Sequence, residues 1–285
     1  LQKETGIFVC GGKGGVSRRT PQEIETACDA TGQDAARLVH ASRLSAKVDS
    51  AAIQDGYQLY HHCFLFTTSG LWCVVQQGMN DTTRSARRYH WLSTGVRDFV
   101  CEPHRAICCD RRGAPLNLVA GESADNRSGI TQLAADEPGR LRREIARLRD
   151  LRLPERHALL LQDIDPRRLD SVLLRTYEAQ AEDFETVLGT RGMGAKSLRA
   201  LSLIAELVYG ARPSFRDPAR FSYAHGGKDG TPYPVARETY DRSVEVLRSA
   251  LDSARVGAYD KLRAMRRLAR FESDIPRAAG ADVRI

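Results

Sequence analysis

The sequence predicts an α+β protein, with a mixed N-terminal half (a strand hairpin plus helices) followed by a mainly α-helical C-terminal half. Three observations carry this. Branched and aromatic residues cluster between Gln58 and Gln77 as two short runs, the composition of strands. Beyond residue 140, most segments repeat apolar residues at three- and four-residue spacing. Between the two, Asp110 to Gly139 loses periodicity and gains Gly, Pro, Ser, Asp and Asn, as a linker or long surface loop does. A chain of 285 residues has material for one large or two ordinary domains. The expectation is an α+β domain over 1–120 and a helical domain over 130–285.

The elements follow in order. Ile7 to Cys10 reads as a short strand entering a glycine-rich loop. Thr20-Pro21-Gln22-Glu23 is a capping box with proline at the first helical position, starting a helix to about Ala30. A second helix covers Asp34 to Val48. Gln58 to Thr67 and Leu71 to Gln77 flank Thr68-Ser69-Gly70, a hairpin signal, and Phe99 to Cys109 gives a further strand. Helical patterns then cover 140–150, 166–179, 181–189, 195–209, 236–254 and 257–271. A loop containing Pro213, Pro218, Gly226, Gly227, Gly230, Pro232 and Pro234 interrupts them.

Composition narrows the classes of function. The net charge of +7 and pI near 9.2 suit a polyanionic partner. Arginine supplies 37 of the 43 basic side chains, and its planar fork grips phosphate in a way lysine does not, although GC-rich coding gives the same bias. All seven cysteines fall within the first 109 residues, in odd number and without a CxxC pair. That argues against a disulfide framework or a zinc ribbon and for reduced thiols in a cytoplasmic protein. No apolar run reaches transmembrane length and no signal-peptide pattern occurs, so no membrane association is expected. Oligomeric state is not legible.

The most informative stretch is Phe184 to Gly210. Gly192-Met193-Gly194 forms a tight turn between two helical patterns, and Leu198, Leu201, Ile204, Ala205 and Val208 then mark one helix face. Unpaired amides at a helix start, aided by the helix dipole, favour a phosphate. Lys196 and Arg199 add cations in the first turn. The segment resembles the helix-hairpin-helix motif, a module that grips the nucleic-acid backbone with little sequence specificity. It departs from the motif at Thr190, where an apolar residue is usual. A plain corner between core helices would use the same glycines.

Two glycine loops are weaker candidates. Gly11 to Thr20 looks like the phosphate loop of deviant Walker ATPases, but Ser17, Arg18 and Arg19 stand where Gly-Lys-Ser/Thr chemistry is needed, so no nucleotide cofactor is expected. Lys13 in that loop remains a candidate phosphate contact. His225-Gly226-Gly227-Lys228-Asp229-Gly230, with Lys228, binds an anion or simply turns the chain.

Reaction chemistry is most plausible around the hairpin. Asp49 and Asp55 precede the strand that carries His61 and His62, whose side chains point to opposite faces, and Glu102 and His104 share a face if Phe99 to Cys109 is a strand. Asp55, His61, Glu102 and His104 together would hold Mg or Mn and activate a water. Arg87 and Arg88, beside Tyr89 and Trp91, suit phosphate contact and base stacking. Core histidines and an arginine-paired Glu102 would give the same residues.

Several blocks together carry a family resemblance: GGKGGVSRRTPQEI, DGYQLYHHCFLFTTSGLWCVVQQGMN, ARRYHW, EPHRAI, RGMGAKSLRALSLIAELVYG and DPARFSYAHGGKDGTPYPV. From about Gly6 to about Tyr240 the chain resembles the domain-of-unknown-function family numbered 763. Its members begin with an earlier segment that this chain, opening at Leu1, is expected to lack. The resemblance implies no established activity. It implies that the Gly192–Gly194 turn is a family pattern, and it strengthens the second glycine loop and the Glu102-Pro103-His104 segment as candidates. The leading expectation is a DNA-binding protein of DNA processing or repair, with metal-dependent nuclease activity. A non-catalytic DNA-binding adaptor comes second and a DNA glycosylase third.

Overall fold

Strand pairing begins with the alternation in the hairpin. The computed structural model describes residues 2–109, 111–148, 166–219, 237–253 and 257–273. Seven strands lie among them: β1 (Ile7–Lys13), β2 (Ile53–Gln54), β3 (Gln58–Thr67), β4 (Trp72–Asn80), β5 (Ser85–Leu92), β6 (Ala106–Cys108) and β7 (Leu116–Asn117). One five-stranded sheet has the order β1-β3-β4-β5-β6, and β2 pairs with β7 in a separate antiparallel ribbon. β3 with β4, β4 with β5 and β5 with β6 pair antiparallel, with His62, Gln76 and Tyr89 in one cross-strand row and Phe64, Val74 and Trp91 in the next. Those rows face the core, where Phe64, Phe66, Val74, Tyr89 and Trp91 are almost fully buried. The opposite face carries His61, Gln77 and Arg88 in one row and Cys63, Val75 and His90 in the next, all half-buried.

The helices are α1 (Gln2–Thr5), α2 (Thr20–Asp29), α3 (Ala35–Lys47), α4 (Ala124–Ala135), α5 (Pro138–Leu148), α6 (Pro166–Glu178), α7 (Phe184–Gly189), α8 (Ala195–Tyr209), α9 (Arg237–Ser253) and α10 (Ala258–Ser273). The chain divides into two units. Val9–Ser222 holds the sheet and α2 to α8, and Leu1–Phe8 with Tyr223–Ile285 forms the other, in which α9 packs on α10. Within the larger unit α3 packs on α2 and against β4, burying Leu38, Val39, Ala41 and Leu44. Asp34 caps α3 as the sequence suggests, accepting from the Arg37 amide at 3.3 Å. Thr20, by contrast, is the first residue of α2 rather than its cap, and its hydroxyl donates to Ser17 O.

The α+β class stands, but two expected elements do not. Residues 110–139 are not a plain linker: they contain β7, a 3₁₀ turn (Gly121–Ser123) and α4. α4 crosses α8 at close range, where a Cβ on Gly129 would lie 2.9 Å from the Ala205 Cβ. The Asn126 amide donates to Ser202 O (3.0 Å) and Ala211 O (2.6 Å) and accepts from the Ser202 hydroxyl (2.7 Å). A helix that buries Gly and Asn shows little apolar periodicity, which is why it read as a loop. The expected strand Phe99–Cys109 shrinks to Ala106–Cys108. Pro103 has no N–H for a ladder, and Glu102 adopts φ 45, outside the strand region. β5, in turn, lies where only a nucleic-acid contact segment was read.

Candidate functional site

The turn from α7 into α8 is built on two glycines. Gly192 has φ +94, which favours glycine, and Gly194 caps α8 without a side-chain acceptor. Three side chains hold the carbonyls of the turn. Arg175 Nη1 donates to Arg191 O at 3.0 Å, Lys47 Nζ donates to Met193 O, and Gln54 Nε2 donates to Ala195 O at 2.7 Å. In a trans peptide the C=O and N–H point in opposite directions. Anchoring the carbonyls of Arg191 and Met193 therefore turns the amides of Gly192 and Gly194 the other way. Those two amides have no hydrogen-bond partner among the described residues. Between them the Met193 amide donates to Thr190 O at 3.1 Å, so two unpaired amides flank a paired one at the start of α8.

The cations expected around the turn divide. Lys196 and Arg191 are exposed beside it. Arg199 instead turns inward, donating from Nε to Gln54 Oε1 at 2.7 Å, and its burial lowers its pKa. Through that bond it positions Gln54. Met193 is buried and plugs the turn into the core. A groove of about 1110 Å³ runs between α3 and α7 up to Thr190, lined in part by His40, Arg43, Lys47 and Glu185. His40 and Glu185 bridge it at 2.9 Å.

The same short segment that grips the hairpin through Lys47 and Gln54 carries two buried carboxylates. Asp49 sits in a π-helical turn (Val48–Ala52) and is completely buried; such widened turns recur at functional sites. Its Oδ2 accepts from Gln76 Nε2 and, at 3.0 Å, from Trp91 Nε1, and its Oδ1 accepts from His104 Nε2 at 2.5 Å. Gln76 Oε1 in turn accepts from His62 Nδ1 at 2.8 Å, and Ser42 donates to His62 Nε2 at 2.9 Å. These roles require neutral His62, and burial lowers its pKa accordingly. The His104 ring lies 4.5 Å from the Trp91 ring, which fixes its orientation.

With Nε2–H committed to Asp49, His104 Nδ1 holds a free lone pair, and no described group bonds to it. His104 lines a cavity of about 320 Å³, together with Glu102, Arg112, Asn117, Glu122 and Arg216. Asn117 is buried; its Nδ2 donates to Arg216 O at 3.1 Å, while its Oδ1 has no partner among the described residues. Arg127, donating at 2.7 Å to both Leu118 O and Ala120 O, holds the wall that contributes Val119 and Ala120.

Asp55 takes a different path. It accepts from Arg87 Nη1 at 3.0 Å and from the Tyr89 hydroxyl at 2.7 Å. Arg87 also forks onto Asp217, at 3.1 and 2.9 Å. The backbone amides of Gly113 and Ala219 complete Asp217. Burial alone would lower the Arg87 pKa, but its two carboxylates outweigh that and raise it. The result is an ion triad, with the buried Arg87 Nε left without a partner among the described residues, that fastens residues 216–219 as one wall of the cavity.

The four residues expected to share a metal are therefore dispersed. Asp55 belongs to the triad and His61 to the opposite sheet face, while Glu102 and His104 do line one cavity. Among the described residues no group of three or more His, Cys, Asp or Glu is placed to hold a metal ion. Arg87, at 1% exposure, is a core cation and not a phosphate contact, and Tyr89 and Trp91 are too buried to stack on bases. Arg88 is on the half-exposed face. Lys13 lies over the Tyr60 ring at 5.9 Å. In its loop the Gly11 amide already donates to Glu23 Oε2 at 2.7 Å, so an internal carboxylate fills that anion position. Lys228 lies outside the described residues. Asp49, the partner of His104, precedes the same strand as Asp55, yet Asp55 was the one placed in the metal set: nothing in the sequence separates the two.

Fold and site thus define an α+β protein with a hairpin of outward amides and a His–Asp pair opening on a cavity. The family model described as "Protein of unknown function (DUF763)" matches residues 1–235, and the chain belongs to that family. Comparison with curated proteins and with solved structures gives no match. No helix among the described residues is long and apolar enough to cross a membrane.

Proposed function

We propose that this protein binds DNA along its phosphate backbone through the turn between α7 and α8, and that it acts in DNA processing or repair. One observation carries the reading: the amides of Gly192 and Gly194 point outward without partners, because Arg175 and Lys47 hold the alternate carbonyls. An unpaired amide pair at a helix start favours a phosphate oxygen over water. Lys196 and Arg191 beside it, and the net charge of +7, favour a polyanion over a single small anion. Backbone contacts of this kind carry little sequence information. The seven free cysteines suit a reducing, cytoplasmic setting.

Titrating labelled single-stranded and duplex oligonucleotides with the full chain at low salt, read by fluorescence anisotropy, tests this. The expected result is saturable binding, weakened at least about tenfold when Arg191→Glu and Lys196→Glu are combined, as two phosphate contacts become repulsive. Equal affinity of the charge-reversed protein, or no association at all, would refute the reading. The nuclease reading is favoured over a purely binding role by one further feature, the imidazole held by Asp49 at the cavity edge.

A further inference from the structure

We propose that the cavity beside His104 is a hydrolytic site, in which the Asp49–His104 pair activates a water against a phosphodiester without a metal ion supplying the base. The substrate class rests on the backbone-binding reading above; the chemistry rests on the cavity itself. Three features meet there. A completely buried carboxylate receives the Nε2 proton of His104, which fixes the tautomer and leaves Nδ1 as the basic atom. Nδ1 has no partner among the described residues, and its ring borders a cavity of about 320 Å³, ample for a water and one phosphodiester group. Asn117 Oδ1, buried on the same cavity's wall, is an acceptor without a donor. Buried polar atoms without partners are rare in folded proteins and point to a bound water or ligand. Oδ1 itself has almost no surface open to solvent, so a water in the cavity is held through Nδ1.

The remaining lining fits the other reactant. Arg112 and Arg216 stand at the cavity with their charges toward solvent, Arg216 only 3.6 Å from Glu122 and mostly exposed. They can meet the phosphoryl oxygens of a strand lying over the opening. The segment Lys47–Asp55 connects this cavity to the hairpin. Lys47 and Gln54 hold the turn, Asp49 holds His104, and Ile53 pairs with Asn117 across the β2–β7 ribbon. A backbone gripped at Gly192 and Gly194 thus lies on the same framework as the base.

The step balances with water alone. As the water oxygen bonds to phosphorus, one of its protons passes to His104 Nδ1. The P–O bond to the departing sugar oxygen then breaks on the far side of phosphorus; that oxygen takes a proton from solvent at the cavity mouth, and Nδ1 returns its proton to solvent. The products are a phosphomonoester and a hydroxyl. Asp49 stays ionised throughout, compensating the imidazolium charge in between.

The test uses the full chain in excess EDTA with two substrates: bis(4-nitrophenyl) phosphate, which needs no hairpin, and a labelled oligonucleotide. The wild-type protein should cleave both. His104→Ala should cut the small diester at least about 100-fold more slowly, the usual worth of a general base, and added imidazole should restore part of the rate. His104→Gln, which can still donate to Asp49 but has no imidazole base, should be as slow while melting near the wild-type temperature. Oligonucleotide binding without cleavage of either substrate would overturn this proposal and leave the hairpin reading intact. Cleavage of the small diester with no oligonucleotide binding would do the reverse. Equal rates in wild type and His104→Gln would mean that the cavity holds a structural water only, and would overturn the proposal.

Discussion

Two buried carboxylates six residues apart, Asp49 and Asp55, have been put to opposite uses. Asp55 meets an arginine that also forks onto Asp217, and donors from Tyr89, Gly113 and Ala219 complete the cluster. Every charge there is answered from within the protein. Asp49 is equally enclosed, yet its imidazole partner passes the interaction on to a cavity through a second, unengaged nitrogen. The difference teaches that burial and pairing alone do not mark a functional carboxylate. What separates the two is the partner: Asp55 meets a fixed cation, whose buried Nε is left without a partner among the described residues, while Asp49 meets an imidazole whose second nitrogen borders a cavity.

The largest expected effect breaks the closed side. Arg87→Ala leaves Asp55 and Asp217 facing each other without a cation and should cost about 3–5 kcal/mol of stability, the range for stranding a buried charge. Denaturant unfolding measures it. His104→Gln should cost well under that, because the open side has spare capacity. If the two losses are equal, the contrast is void.

A smaller effect separates the regions by pH. On the open side His62 has a lowered pKa, chiefly from burial. The unfolded chain then binds the proton first, so stability is full above the unfolded value near 6.5 and declines as pH falls below it. On the closed side Asp217 resists the upward push of burial. Its bonds from Arg87, Ala219 and Gly113 set its pKa below the usual carboxylate value. The stability it contributes is therefore lost only as pH falls below about 4. Asp55, raised chiefly by burial, works in the other direction over that acid range. Thermal melting from pH 8 to 3 should show a first decline below about 6.5, absent in His62→Gln, and a second below about 4. A flat profile between 7 and 5 would contradict the neutral, buried His62.

Smaller still is the contribution of Asp183, which caps α7 by accepting from the Thr186 amide at 2.7 Å and whose pKa is lowered by that bond. Asp183→Ala should cost about 1 kcal/mol and loosen the helix that enters the hairpin. It should leave the pH profile of the two carboxylate networks unchanged.

Parts of this were legible in the residues. β3 spans Gln58–Thr67 and α8 spans Ala195–Tyr209 as the pattern suggested, since each keeps one periodicity between clear turn signals. Gly192 and Gly194 were marked by the same means. α4 was not legible, because Asn126 and Gly129 serve a close helix crossing that no apolar repeat announces. The segment around Glu102 read as a strand from its Val, Ile and Cys content, while Pro103 and the positive φ before it decide otherwise. His104 was found as a candidate and Asp49 was noted ahead of the strand, but their pairing was not read, since pairing across 55 residues depends on a π-turn that local sequence does not encode. Arg87 looked like a surface cation for the same reason: its partner Asp217 lies 130 residues away.

The central claim is that the outward amides of Gly192 and Gly194, with the cations beside them, hold a phosphate backbone. The most direct measurement is the salt dependence of duplex affinity for the wild-type chain and for Lys196→Glu, a change at an exposed side chain. The account predicts a steep loss of affinity with salt for the wild type and a slope shallower by about 0.9 in the variant, one phosphate contact fewer. Identical slopes and affinities in the two proteins would contradict it.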